Sequence, residues 1–170
     1  MKDSFQRNLM KKGFTLIEIM VVIVIMGVLA AIGVPKMFAQ IAKAKASEIA
    51  PAAGTYTHLQ DTYQSEKTIL GSWKSIGYVA PGTDGVSKEF QYSGCIENDV
   101  PFTGEKLTVI GWKATNRNNL NLCSGNNGIW AVQVSALAER NLSYTNLVSS
   151  VDCGMLTVNW AVSSISNECN

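Results

Sequence analysis

The chain has 170 residues, 46% of them hydrophobic and 16% charged, with a formal net charge of +1. That near-neutral total hides an asymmetry: Met1 to Gly13 carries Lys2, Arg7, Lys11 and Lys12 against Asp3, and everything from Phe14 onward is net acidic. No dense basic patch supports a non-specific nucleic-acid surface, and no GxSxG, HExxH, P-loop or Rossmann fingerprint supports catalysis.

Taken in chain order, the basic leader runs into Phe14–Val34, which is apolar apart from Thr15, Glu18, Gly27 and Gly33. At about 1.5 Å per residue this run is about 30 Å long, the hydrocarbon thickness of a bilayer. Positive charge on its N-terminal flank keeps that end in the cytoplasm and sends the rest of the chain across the membrane. Glu18 is the anomaly, because an ionised side chain in lipid is costly and marks a function. A cut just before the run would create an α-amino group at Phe14, one helical turn from Glu18. Stacking with an axial stagger would then let Glu18 of one chain pair with the Phe14 amine of its neighbour.

The octet Lys11-Lys12-Gly13-Phe14-Thr15-Leu16-Ile17-Glu18 resembles the processing motif of type IV pilins and of type II secretion pseudopilins. The resemblance covers Lys11 to Ile49. It implies cleavage between Gly13 and Phe14 by a membrane-embedded prepilin peptidase, which also N-methylates Phe14, and an assembly role for Glu18. It further implies partners in an inner-membrane assembly platform and in other copies of the chain, a melted helical segment over Gly27 to Pro35 in assembled fibres, and no cofactor. The implied route is from a single-pass inner-membrane precursor with a cytoplasmic N-terminus to an extracellular pilus filament for adhesion or motility. Two alternatives stay open: a secretion pseudopilin, and a membrane-anchored binding module that never polymerises.

Beyond Pro35 the helical period continues through Met37, Ile41, Ile49, Tyr56, Leu59 and Tyr63, predicting an amphipathic helix to about Lys67. Pro35 and Pro51 each remove an amide donor and crowd the preceding turn, so each is expected to kink or loosen the helix, with Gly27 and Gly33 softening the first site. From Gly71 the pattern changes to short β-rich runs at Trp73–Ala80, Lys88–Tyr92, Lys106–Lys113, Ile129–Val134 and Met155–Val162. Ala136–Leu142 is readable as a short helix or as a loop. The resulting fold class is α+β, a long N-terminal helix whose amphipathic half packs on a mostly antiparallel sheet, the roll that the pilin resemblance also implies. The organisation is a leader (1–13), a membrane and filament-core helix (14–35) and an exported domain (36–170).

All four cysteines, Cys95, Cys123, Cys153 and Cys169, fall in the exported part and read as two disulfides. Closing the shortest loops favours Cys95 with Cys123 and Cys153 with Cys169 among the three pairings. No CxxC or His pair supports a metal site, and no contiguous acidic loop gathers Asp61, Glu66, Asp84, Glu89, Glu97, Asp99 and Glu105 around calcium. His58, the single histidine, reads as a solvated or core-edge residue. Trp73, Trp112, Trp130 and Trp160 read as core. The asparagine-rich segment Asn116 to Asn127 is the candidate recognition surface, and Asn141-Leu142-Ser143 matches a glycosylation sequon.

Overall fold

A computed structural model describes residues 13–103, 105–136, 141–165 and 169. The elements in chain order are α1 (Leu16–Ala46), α2 (Ile49–Lys67), β1 (Ile69–Leu70), β2 (Phe90–Ser93), β3 (Val100–Pro101), β4 (Leu107–Asn116), β5 (Ile129–Ala136), β6 (Leu142–Val148), α3 (Val151–Gly154) and β7 (Ala161–Val162). The chain divides after Phe38 into two compact units.

The first unit is helical from Leu16. Its large apolar side chains are exposed on every side, from Phe14 and Leu16, both at 85%, through Ile25 to Val34. Among the described residues one helical stretch is long and apolar enough to cross a membrane, and none of its most apolar window is buried. Helical structure passes through Gly27, Gly33 and Pro35 without a break.

The break falls later, between Ala46 and Ile49. Pro51 lacks the N–H that would reach Ser47, and its ring presses on that same carbonyl four residues back. Ser47 Oγ meanwhile donates to Ala44 O at 2.7 Å, which occupies a carbonyl at the end of α1. α2 stops where the sequence pattern predicts. Thr68 adopts the left-handed conformation (φ 61°), and its N–H caps Gln64 O.

The main sheet of the second unit has the order β2-β4-β5-β6-β7, antiparallel except for the β6–β7 pair. A two-stranded ladder, β1 with β3, stands apart. α2 turns Ile49, Ala52, Ala53, Tyr56 and Gln60 inward, spaced so that one helix face meets the core. An aromatic layer fills that core: Tyr56 meets Tyr78 edge-on at 5.8 Å, and Phe90 meets Trp130 edge-on at 5.5 Å. The indole N–H groups are satisfied, Trp73 by Gly111 O, Trp112 by Tyr78 Oη and Trp130 by Thr157 Oγ1. Gly111 sits at the irregularity in β4, where any Cβ would run into Tyr56 Oη.

Several strand expectations are corrected. Trp73–Ala80 is a run of turns and irregular backbone, closed by Ile76 N–H to Ser72 O and Tyr78 N–H to Trp73 O. Its aromatic and β-branched residues, which mimic a strand in sequence, supply packing instead. Of Met155–Val162 only the last two residues form a strand. Leu142–Val148, not foreseen as a strand, carries seven residues of the sheet. Residues 137–140 of the ambiguous segment lie outside the described residues. On the inner helix face, Met37 and Ile41 are exposed, and burial begins at Ala42.

The disulfide pairing is corrected as well: the bonds are Cys95–Cys169 and Cys123–Cys153. Shortest-loop reasoning ignores sheet topology. The register Trp130↔Val148 brings the start of β5 and the end of β6 to one edge of the sheet, so the β4–β5 loop bearing Cys123 meets α3 bearing Cys153. Gly128 lies beneath that bond, and a Cβ there would collide with both sulfurs.

Asp99 ties the small ladder to α2. It accepts hydrogen bonds from Ser72 N–H (2.8 Å) and Tyr63 Oη (2.8 Å), and these contacts hold its carboxyl down at about 2. A carboxylate with a depressed folded-state pKa contributes stability above its ordinary pKa near 4 and loses it as pH falls toward the folded value. Asp99→Asn is expected to cost about 1 kcal/mol at neutral pH and to flatten the loss of stability between about pH 4 and pH 2, measured by urea unfolding across that range. A non-reducing peptide map is expected to recover Cys95–Cys169 and Cys123–Cys153. Converting Cys123 and Cys153 together to Ser is expected to lower stability by about 2–4 kcal/mol.

Candidate processing and assembly site

Gly13 to Thr15 are non-helical and lead directly into α1. Thr15 occupies the N-cap position, and Glu18, three residues on, reaches back to it. Thr15 N–H donates to Glu18 Oε2 at 2.7 Å, the Thr15 hydroxyl donates to the same oxygen at 2.7 Å, and Glu18 N–H donates to Thr15 Oγ1 at 3.3 Å. This is a reciprocal capping box, in which each residue satisfies an orphan donor at the helix start. A carboxylate in the first turn also faces the positive end of the helix dipole.

The T-x-x-E signature was legible in Thr15-Leu16-Ile17-Glu18, and reading Glu18 only as a charge seeking a cation overlooked it. Glu18 bonds Thr15 through Oε2 alone, while Oε1 takes no hydrogen bond among the described residues. The carboxylate is exposed and keeps one oxygen open.

The glycines divide into two kinds. A Cβ on Gly13, Gly27 or Gly33 would meet no heavy atom within 4 Å, whereas one on Gly111 or Gly128 would collide with the core. The folded chain therefore places no steric demand on the first three. Lys11 and Lys12 lie outside the described residues.

Other sequence candidates resolve into structural roles. His58 is exposed on α2, and no group of three or more metal-type side chains gathers among the described residues. Asp61 accepts from Tyr144 Oη at 2.7 Å. Glu89 pairs with Lys45 at 3.1 Å; burial raises its pKa, but hydrogen bonds from Lys45 and Asn118 outweigh that and bring it below the ordinary value. The asparagine-rich loop is organised by Asn116, fully buried, whose Oδ1 accepts Gly128 N–H and whose Nδ2 donates to Asn118 O and Ser124 O. Asn119 Oδ1 accepts Gly125 N–H. These asparagines fold the loop on itself and leave Asn118, Leu122 and Asn126 at the surface.

An apolar helix opened by a capping box and followed by a disulfide-locked α+β unit defines a membrane-anchored structural subunit. Comparison with known proteins narrows the class. The family described as the prokaryotic N-terminal methylation motif matches residues 8–34. The fimbrial protein EcpB of Eikenella corrodens is 30% identical over 134 residues, covering 75% of this chain and 77% of that protein. The type IV major fimbrial protein FimA of Dichelobacter nodosus is 34% identical over 85 residues (47% of this chain, 53% of that protein). The type IV major pilin protein PilE1 of Neisseria gonorrhoeae is 38% identical over 78 residues (45% and 43%). No solved structure matches the chain. The chain belongs to the type IV pilin family, and as a pilin it is a structural subunit rather than an enzyme.

Removing the Thr15 hydroxyl is expected to loosen the start of α1. Thr15→Ala costs about 1 kcal/mol of local helix stability while Thr15→Ser is nearly neutral. In the micelle-embedded protein, amide exchange over residues 15–18 is expected to accelerate about fivefold in the alanine variant only.

Proposed function

We propose that the chain is the major-type subunit of a type IV pilus, held first in the inner membrane with its leader in the cytoplasm. The prepilin peptidase cuts between Gly13 and Phe14 and methylates the new Phe14 amine. The inner-membrane assembly platform then transfers the helix from lipid into a filament core of identical helices, and the exported unit forms the fibre's adhesive or motile surface.

The observation that carries this reading is a helix apolar on all sides, with its large side chains exposed, opened by a single carboxylate in its first turn. Lipid solvates such a surface, and so do neighbouring copies of the same helix. Exchange between these two surroundings is nearly balanced, since helix association in membranes rests on packing and polar contacts rather than on escape from water.

Glu18 serves in both. Its Oε2 caps its own helix, and its open Oε1 receives the Phe14 amine of a neighbour, which removes two unpaired charges and sets the stagger between subunits. The unobstructed space around Gly13, Gly27 and Gly33 fits demands imposed from outside the folded chain: entry of the Gly13–Phe14 bond into a peptidase, and close approach of helices at Gly27 and Gly33. In the fibre, Gly27 to Pro35 is where the helix yields, because Pro35 lacks one helical hydrogen bond and the two glycines cost helix stability.

Intact mass spectrometry of sheared surface fibres tests the whole. It is expected to return a chain beginning at N-methylated Phe14, and electron microscopy is expected to show long filaments. Protein confined to the inner membrane, with no sheared material, would overturn the reading. Glu18→Ala is expected to be cut normally and to lose most filament yield; wild-type yield from that variant would remove the charge lock.

A further inference from the structure

Two aliphatic side chains of the second unit stand apart from its pattern. Val79 is 85% exposed and Val158 is 83% exposed, the highest values among the unit's large hydrophobic residues. Both are held firmly in place. Val79 lies between Tyr78 and Ala80, both buried, and Tyr78 Oη donates to Ala52 O while accepting from Trp112 Nε1. Val158 follows Thr157, whose hydroxyl accepts from the buried Trp130, and precedes Asn159, whose left-handed backbone (φ 65°) returns the chain into the core at Trp160.

Each valine borders a groove beside α2. Pro51, Ala52 and Thr55 line one with Tyr78 and Val79, and Ala53, Gly54 and Thr57 line the other with Val158 and Trp160. At about 100° per residue these two sets point roughly 160° apart around the helix axis, so the grooves lie on opposite flanks. Their volumes are similar, ≈ 350 and ≈ 320 Å³. Among the residues lining them Glu48 is the single charge, and Tyr92 Oη donates to it. No uncompensated charge opposes the approach of an apolar side chain.

A filament with screw symmetry joins copies through a heterologous contact, in which two different patches of one subunit meet on neighbouring copies. We propose that the two flanks of α2 are those patches, and that Val158 of one copy seats in the groove bordered by Val79 of another. The occupant of both grooves is a second copy of this chain. The inference rests on the filament reading above and adds to it a lateral contact between globular units that is separate from the helical core.

The four native cysteines are all disulfide-bonded, so introduced thiols can be addressed selectively. Sheared filaments of the double variant Val79→Cys/Val158→Cys, treated with a short bismaleimide, are expected to give a ladder of covalent multimers. Either single variant is expected to give none, and coexpressed single variants are expected to stop at dimers. Intact filaments of the double variant that remain monomeric after treatment, or single variants that cross-link equally well, would overturn the proposal. Hydroxyl-radical labelling of unmodified filaments supplies a second readout. Val79 and Val158 are expected to lose at least fivefold in labelling relative to detergent-solubilised subunit, and equal labelling in both forms would also overturn it. Absence of filaments from the unmodified chain would instead sink the filament reading, a separate outcome.

Discussion

A helix with no polar side has to be dissolved in something other than water, and this constraint governs the rest of the molecule. From Phe14 to Val34 the exposed side chains are those of a protein interior turned outward. Lipid answers the need in the precursor and other helices answer it in a fibre of pilins. Because both surroundings are apolar, the hydrophobic effect favours neither strongly, and polar details at the helix start gain influence over which is occupied.

The capping box supplies such a detail. A buried or lipid-facing carboxylate without partners would be expelled or protonated. Here Thr15 and the first-turn amides of α1 give Glu18 local satisfaction before any second subunit arrives. The residue that looks like a defect in a membrane span is thereby tolerated in the lone chain. It still keeps an open oxygen through which another molecule can be recognised.

Much of this was legible in the sequence, and the misses share causes. Unbroken apolar character announced the first helix, and the period of Ile49, Tyr56, Leu59 and Tyr63 announced the second to its last residue. The sheet was harder, because aromatic and β-branched residues serve equally as strand formers and as core filling. Trp73–Ala80 has strand composition and folds as turns, since its side chains anchor to Gly111, Ala52 and the aromatic layer rather than to a ladder. Leu142–Val148 lies among Asn and Ser residues that read as loop, yet its pairing with β5 makes it a strand. The disulfides failed for a topological reason, since distance along the chain says little about which loops share an edge of a sheet. For Glu18 the signal was present in Thr15, and attention to charge obscured it.

The bond between Cys95 and Cys169 has a mechanical consequence. It spans 74 residues and encloses β3 to β7 in a covalent loop. A chain drawn out from Phe14 can therefore unspool only as far as Cys95, at most about 280 Å at roughly 3.4 Å per residue. Beyond that point the load passes through sulfur rather than through the sheet. Such a subunit behaves as a tether with a fixed stop: its helices and the segment up to β2 can yield and recover, while the strands enclosed by the bond are shielded from the pull.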